Sequence, residues 1–168
     1  MSLAPEITTK EVIIDTIPFS YLLMGIHHQK TKQKIKPIAG IHFEENKAKF
    51  LALMLKNKIR IITPEVLAET SNQAKKNIKN LDSFLLNTKE EILGYQEEFV
   101  KKEILLETPS LFGLGITDLS LLKIGNKERT LLTGEERREL DHVYENVHQV
   151  PAMNIQDIFL RFKELNIK

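Results

Sequence analysis

The chain has 168 residues, 42% hydrophobic and 28% charged, and a net charge of +1 from 24 Lys and Arg against 23 Asp and Glu. That mixture is enough for a sizeable core in a single domain spanning residues 1–168, and it excludes the strongly basic kind of protein that coats a nucleic-acid duplex. Cysteine is absent, which removes disulfides, thiolate metal sites and thiol nucleophiles and makes a cytoplasmic location the expectation. No apolar run approaches the roughly 18 to 20 residues of a membrane span, and the start of the chain lacks a basic segment followed by an apolar one, so neither export nor a membrane partner is expected. The first three residues, Met1, Ser2 and Leu3, are set aside as compatible with a cloning remnant.

Glu11 to Asp15 is a short β-branched apolar run ending in an acid, the pattern of a buried parallel strand. Pro18 to His28 reads as a helix with Phe19, Leu22, Leu23 and Ile26 on one face. Lys30, Lys32, Lys34 and Lys36 then alternate with Thr31, Gln33 and Ile35. Such a stretch can track a phosphate backbone or can simply be a solvated loop. His42 to Asn57 is a second helical pattern and Lys58 to Thr63 a second strand. Thr63, Pro64 and Glu65 open a third helix, with Glu69 in its second turn.

Thr88 with Glu91 forms a capping box that predicts a helix start, with Ile92, Tyr95 and Phe99 on one face. Ile116 to Ile124 reads as a helix stopped by Gly125, with Asp118 in its first turn. Arg129 to Leu132 is a strand, Thr133 and Gly134 a break, and Glu135 to Val147 a helical stretch beginning with two acids. Val147 to Val150 is a candidate last strand, and Asn154 with Asp157 caps a terminal helix reaching about residue 166. Strands alternating with helices predict an α/β fold with three layers, α/β/α, around a mainly parallel sheet whose core covers about residues 11–150. Ligands bind such sheets at the C-terminal ends of the strands.

Asp15, Glu69, Asp118 and Glu135 each fall at such a strand end or in the opening turns of an adjacent helix, although a helix-dipole role explains Asp118 or Glu135 taken alone. His27 and His28 lack metal-ligand spacing and read as a surface pair. Walker, dinucleotide-binding and serine-hydrolase turns are missing from the sequence.

Four short segments in order carry a family resemblance. They are Val12-Ile13-Ile14-Asp15-Thr16, the run from Ile61 to Asn72 containing Glu69, the run from Gly115 to Leu122 containing Asp118, and Leu131-Leu132-Thr133-Gly134-Glu135. Together they resemble the PIN-domain family of metal-dependent nucleases over nearly the whole chain. The sequence departs from the family at Glu135, where an aspartate is usual and Glu136 is a neighbouring alternative, and in the long interval between Asp15 and Glu69.

The resemblance implies a Mg²⁺ or Mn²⁺ cofactor and a ribonuclease acting on single-stranded RNA, as in the toxins of toxin–antitoxin pairs. It implies Asp15 and Asp118 as principal metal ligands, with Glu69 and Glu135 completing the site, Glu135 as a further ligand. Carboxylate oxygens are the hard donors these ions prefer, and the implied reaction is in-line attack of water on a phosphodiester. Thr16, Thr133 and the four lysines are the substrate-binding candidates, the two threonines steadying the carboxylates or a phosphate by hydroxyl hydrogen bonds, although turn and cap roles serve them equally well. An antitoxin protein and a homodimer are the protein partners the resemblance allows. The alternative is a PIN-like domain with a weakened metal site, acting as an RNA-binding or protein-interaction module.

Overall fold

Continuous apolar runs fix the centre of the molecule. The structure, a computed structural model, describes residues 6–165; residues 1–5 and the expected helix end at 166 lie outside the described residues. In β1 (Glu11–Ile14), Val12, Ile13 and Ile14 are fully buried, and so are Leu131 and Leu132 of the neighbouring strand Arg129–Thr133. Strands apolar on both sides belong in a sheet covered on both faces. Each such side chain contributes about 1.5 to 3 kcal/mol relative to exposure.

The remaining elements follow in chain order: α1 (Thr16–Thr31), α2 (Glu45–Met54), β2 (Ile59–Ile62), α3 (Pro64–Asn77), α4 (Leu81–Leu93) and β3 (Gln96–Glu97). Then come α5 (Lys102–Leu105), a 3₁₀ helix at Pro109–Leu114, α6 (Ile116–Ile124), β4 (Arg129–Thr133), α7 (Glu139–His148), β5 (Met153–Asn154) and α8 (Ile155–Leu165). All pairings are parallel, in the order β3-β2-β1-β4-β5. Strand order runs one way from β1 to β3 and the other way from β4 to β5. Right-handed crossovers therefore put α1 to α4 on one face and α5 to α7 on the other. The contacts agree, since α1 packs on α2, α3 and α4, while α6 packs on α5 and α7. The result is the expected α/β/α arrangement with an entirely parallel sheet, and its switch point lies between the C-terminal ends of β1 and β4.

The buried core is one cluster that extends past residue 150 to Ile155, Ile158 and Phe159 of α8. Phe159 packs on Tyr21, and Phe162 on Phe50. No helix among the described residues is long and apolar enough to cross a membrane.

Several local expectations fail for physical reasons. The box at Thr88 does not open a helix: α4 begins eight residues earlier in the turn capped by Asn80, whose side chain accepts from the Ser83 N–H. Thr88 sits inside it, buried, donating back to the Phe84 carbonyl at 2.8 Å, and beyond Gly94 the chain turns into the two-residue strand β3. Val147 belongs to α7, and the last strand is Met153–Asn154. Residues 135–138 are a loop, so α7 starts at Glu139. His27 is a buried histidine, 1% exposed, bonded to Gln33 and Asn87, and only His28 is partly open.

Candidate metal centre

Asp15 follows the last residue of β1, and its N–H still donates to Leu132 of β4, so it extends the ladder at the switch point. Its carboxylate also caps α1, accepting from the Thr16 N–H at 2.6 Å. One backbone position thus ends a strand, starts a helix and aims a carboxylate along the sheet edge.

Asp118 enters from α6, whose start depends on Gly115. Its φ of +87° and ψ of 166° lie in a region essentially restricted to glycine. Glu135 follows Gly134, where a Cβ would lie 2.6 Å from Ile17 Cγ2 and 3.2 Å from Ile155 Cδ1. Only a residue without a side chain lets the loop pass between α1 and α8 to bring Glu135 back towards Asp15.

One carboxylate oxygen from each of Asp15, Asp118 and Glu135 lies within 4.8 Å of the other two. The three are graded in depth: Asp15 is buried, Asp118 half-buried and Glu135 exposed at the rim. Burial first, then the charges of Glu135, Glu69 and Asp141, push Asp15 up to about 7 against the pull of the Thr16 N–H. Burial and the Asp15 carboxylate, followed by Glu135, Glu69 and Asp141, push Asp118 up to about 8. Glu135 is raised as well, by burial and by Glu69, Asp141 and Glu139. Among the described residues none of these acids pairs with Lys or Arg, so the edge gathers acids with no cationic side chain against them.

Glu69, on α3, stands beside this trio in a different role. Its Oε2 accepts from the Thr16 hydroxyl at 2.9 Å and its Oε1 from the Thr117 hydroxyl at 2.6 Å. Each of the two deeper acids therefore has a threonine next to it in sequence that reaches Glu69. Ser120 extends the network, donating to the Thr117 carbonyl at 2.6 Å and meeting the Thr63 hydroxyl at 2.9 Å.

The substrate-binding candidates of the sequence fall in three different places. The Thr133 hydroxyl is buried and turned to the Met153 carbonyl at 3.5 Å, so it faces β5 and not a substrate. Thr16 steadies the Glu69 carboxylate, one of the two roles expected of its hydroxyl. Lys30, Lys32, Lys34 and Lys36 follow or end α1, whose 16 residues start at the acids and span about 24 Å. There Lys30 donates to the Asn87 carbonyl and Lys32 faces Glu45 at 3.8 Å, while Lys34 and Lys36 are exposed.

Sequence reasoning missed two residues. Thr117 adjoins Asp118 as Thr16 adjoins Asp15, a repeated hydroxyl-acid pattern that is the one local signal for it. Asp141, 7% exposed on α7, belongs to no motif; only its place in the acid-rich run after Glu135 hinted at it.

No family model, no curated protein and no solved structure matches the chain.

Proposed function

We propose that the chain is a Mg²⁺- or Mn²⁺-dependent ribonuclease that cuts single-stranded RNA. The observation that supports this most is the convergence of Asp15, Asp118 and Glu135 within 4.8 Å at the switch point of a parallel sheet. The donor set fits the ion: three carboxylate oxygens, open on the Glu135 side, where waters and a phosphate can complete the shell. When bound, such an ion stabilises charge on the phosphoryl and leaving oxygens.

The chain's own groups supply the rest. Asp15 and Asp118, whose carboxyls are raised mainly by burial, would hold the ion and would give up their protons in doing so. Glu69, fixed by two hydroxyls yet exposed, would orient the attacking water. The phosphodiester enters from the rim, past Glu135. RNA as the substrate, and an antitoxin or a second copy as partner, rest on the resemblance of the four acid-bearing segments.

A second reading, a protein-interaction module with a weakened metal site, draws on a cavity of about 740 Å³ between α3 and α4. Its lining includes Leu67, Leu85, Leu86, Ile92 and Leu93 but none of Asp15, Glu69, Asp118 and Glu135. Incubating labelled single-stranded RNA with the protein and Mn²⁺, Mg²⁺ or EDTA separates the two readings. The nuclease gives cleavage with metal that is lost in EDTA and in Asp118→Asn. An intact protein that cleaves with neither ion contradicts the nuclease and favours the module.

A further inference from the structure

Glu135 is the one member of the trio that sits on a loop. Asp15 is fixed by a strand ladder and a helix cap, and Asp118 by a helix, but residues 135–138 have no regular structure to hold them. Glutamate also has one more rotatable bond than aspartate. Something else must fix where this arm begins.

The start of α8 provides it. Asn154 ends β5, in register with Thr133 of β4, and is 3% exposed. Its Nδ2 donates to the Glu135 carbonyl at 2.9 Å and to Asp141 Oδ2 at 3.3 Å, while its Oδ1 accepts from the Gln156 N–H at 3.0 Å. Gln156 in turn donates from Nε2 to the Gly134 carbonyl at 2.8 Å. Two consecutive carbonyls of the Glu135 arm are thus hooked by two side chains of one helix start.

Asparagine suits this position for a chemical reason. Both hydrogens of one amide group are used, one on a carbonyl and one on a carboxylate, while the other end receives a backbone donor. Aspartate would turn an oxygen towards two acceptors, and serine or threonine has one hydrogen to give.

We propose that Asn154, assisted by Gln156, is a positioning residue of the metal centre: it fixes the Glu135 arm through the Glu135 carbonyl and ties that arm to the Asp141 carboxylate. This rests on the metal-centre reading above. The amide bridges the loop to α7, so Glu135 is presented by a braced backbone, and outer partners of this kind typically tune metal affinity 10- to 100-fold.

The test is Mn²⁺ binding by calorimetry on the intact chain, paired with thermal melts without metal, for the parent, Asp15→Asn, Asn154→Ala, Gln156→Ala, Glu135→Gln and the Asn154→Ala/Glu135→Gln double variant. Asn154→Ala should weaken the Mn²⁺ Kd by about 10- to 100-fold, and Gln156→Ala should weaken it by a smaller factor. In the Glu135→Gln background the Asn154 change should have almost no further effect, because it acts through Glu135. A purely structural role would lower the melting temperature and leave the Kd alone. A parent-like Kd in Asn154→Ala, or an equal loss with and without Glu135, overturns the inference while Asp15→Asn still abolishes binding. If Asn154→Ala does not fold, a parent-like Kd in Gln156→Ala overturns it. A parent that takes up no Mn²⁺ overturns the reading of the centre and the inference with it.

Discussion

The Thr117 hydroxyl donates to Glu69 Oε1 at 2.6 Å, joining the helix that carries Asp118 to the helix that follows β2. With Thr16 on the other oxygen, Glu69 becomes a brace between α1, α3 and α6. Thr117→Val keeps the shape and removes the donor. Because Glu69 is exposed, the stability loss should be modest, about 1 kcal/mol. Metal-dependent RNA cleavage should fall about tenfold, as for other outer partners of a metal site; cleavage at the parent rate would return Thr117 to a packing role.

The two raised acids set the pH dependence of the protein without metal. In the unfolded chain Asp15 and Asp118 lose their protons near the ordinary value of 3.8, but in the folded chain only near 7 and 8. Between these limits the folded state binds more protons than the unfolded one, so their contribution to stability falls as pH rises and levels off above about 8. Denaturant melts in EDTA should show this fall from about pH 5 to about pH 8. It should flatten in an Asp15→Asn/Asp118→Asn variant, whereas an equal slope in both proteins assigns it elsewhere. Mn²⁺ affinity should run the opposite way, strengthening through the same window with release of protons.

Asp15→Asn separates stability from function. Carboxylates about 4 Å apart repel by roughly 4 kcal/mol at an effective dielectric of 20. Removing one charge should make the metal-free protein about 1 to 2 kcal/mol more stable at about pH 8. The same variant should lose most of the Mn²⁺-induced rise in melting temperature, a rise expected of any ligand selective for the folded state, and should not cleave RNA.

The glycines that shape the arms should resist substitution for different reasons. Gly134→Ala drives a Cβ into Ile17 and should cost about 1 to 3 kcal/mol by overpacking. Gly115→Ala meets no atom but is strained at φ +87°, at a similar cost of about 1 to 3 kcal/mol. Restoring space by shortening a neighbour can therefore help only at Gly134, and chemical denaturation of paired variants checks this.

Lys34 and Lys36 lie at the far end of α1, so they can meet only an RNA that extends about 24 Å from the acids. Neutralising both should flatten the slope of log affinity against log salt by about 1 to 2 for a long single strand. Cleavage of an oligonucleotide too short to span that distance should be unchanged. An unchanged slope with the long strand would make the lysines a solvated surface.

The sequence made the edge-forming elements legible because their signals are local. A β-branched run ending in Asp15, a Thr63-Pro64 cap and a helix stopped at Gly125 are each written in a few residues, and the structure reproduces them. What failed depends on distant contacts. β3 is two exposed residues paired with β2, too short to have a period. The box at Thr88 was overridden by burial against the core. Asp15, Asp118 and Glu135 were legible as strand-end acids and Asn154 as a helix cap, but the bonds from Thr117 to Glu69 and from Asn154 to the Glu135 carbonyl and Asp141 cross the fold, which no spacing records.

Crystals grown with Mn²⁺ and measured at the manganese absorption edge put the centre itself to the test. An anomalous peak bounded by carboxylate oxygens of Asp15, Asp118 and Glu135, present in the parent and lost in Asp15→Asn, is the result expected. A saturating Mn²⁺ soak that leaves this edge without a peak, or places the ion away from Asp15 and Asp118, would contradict the metal-centre reading.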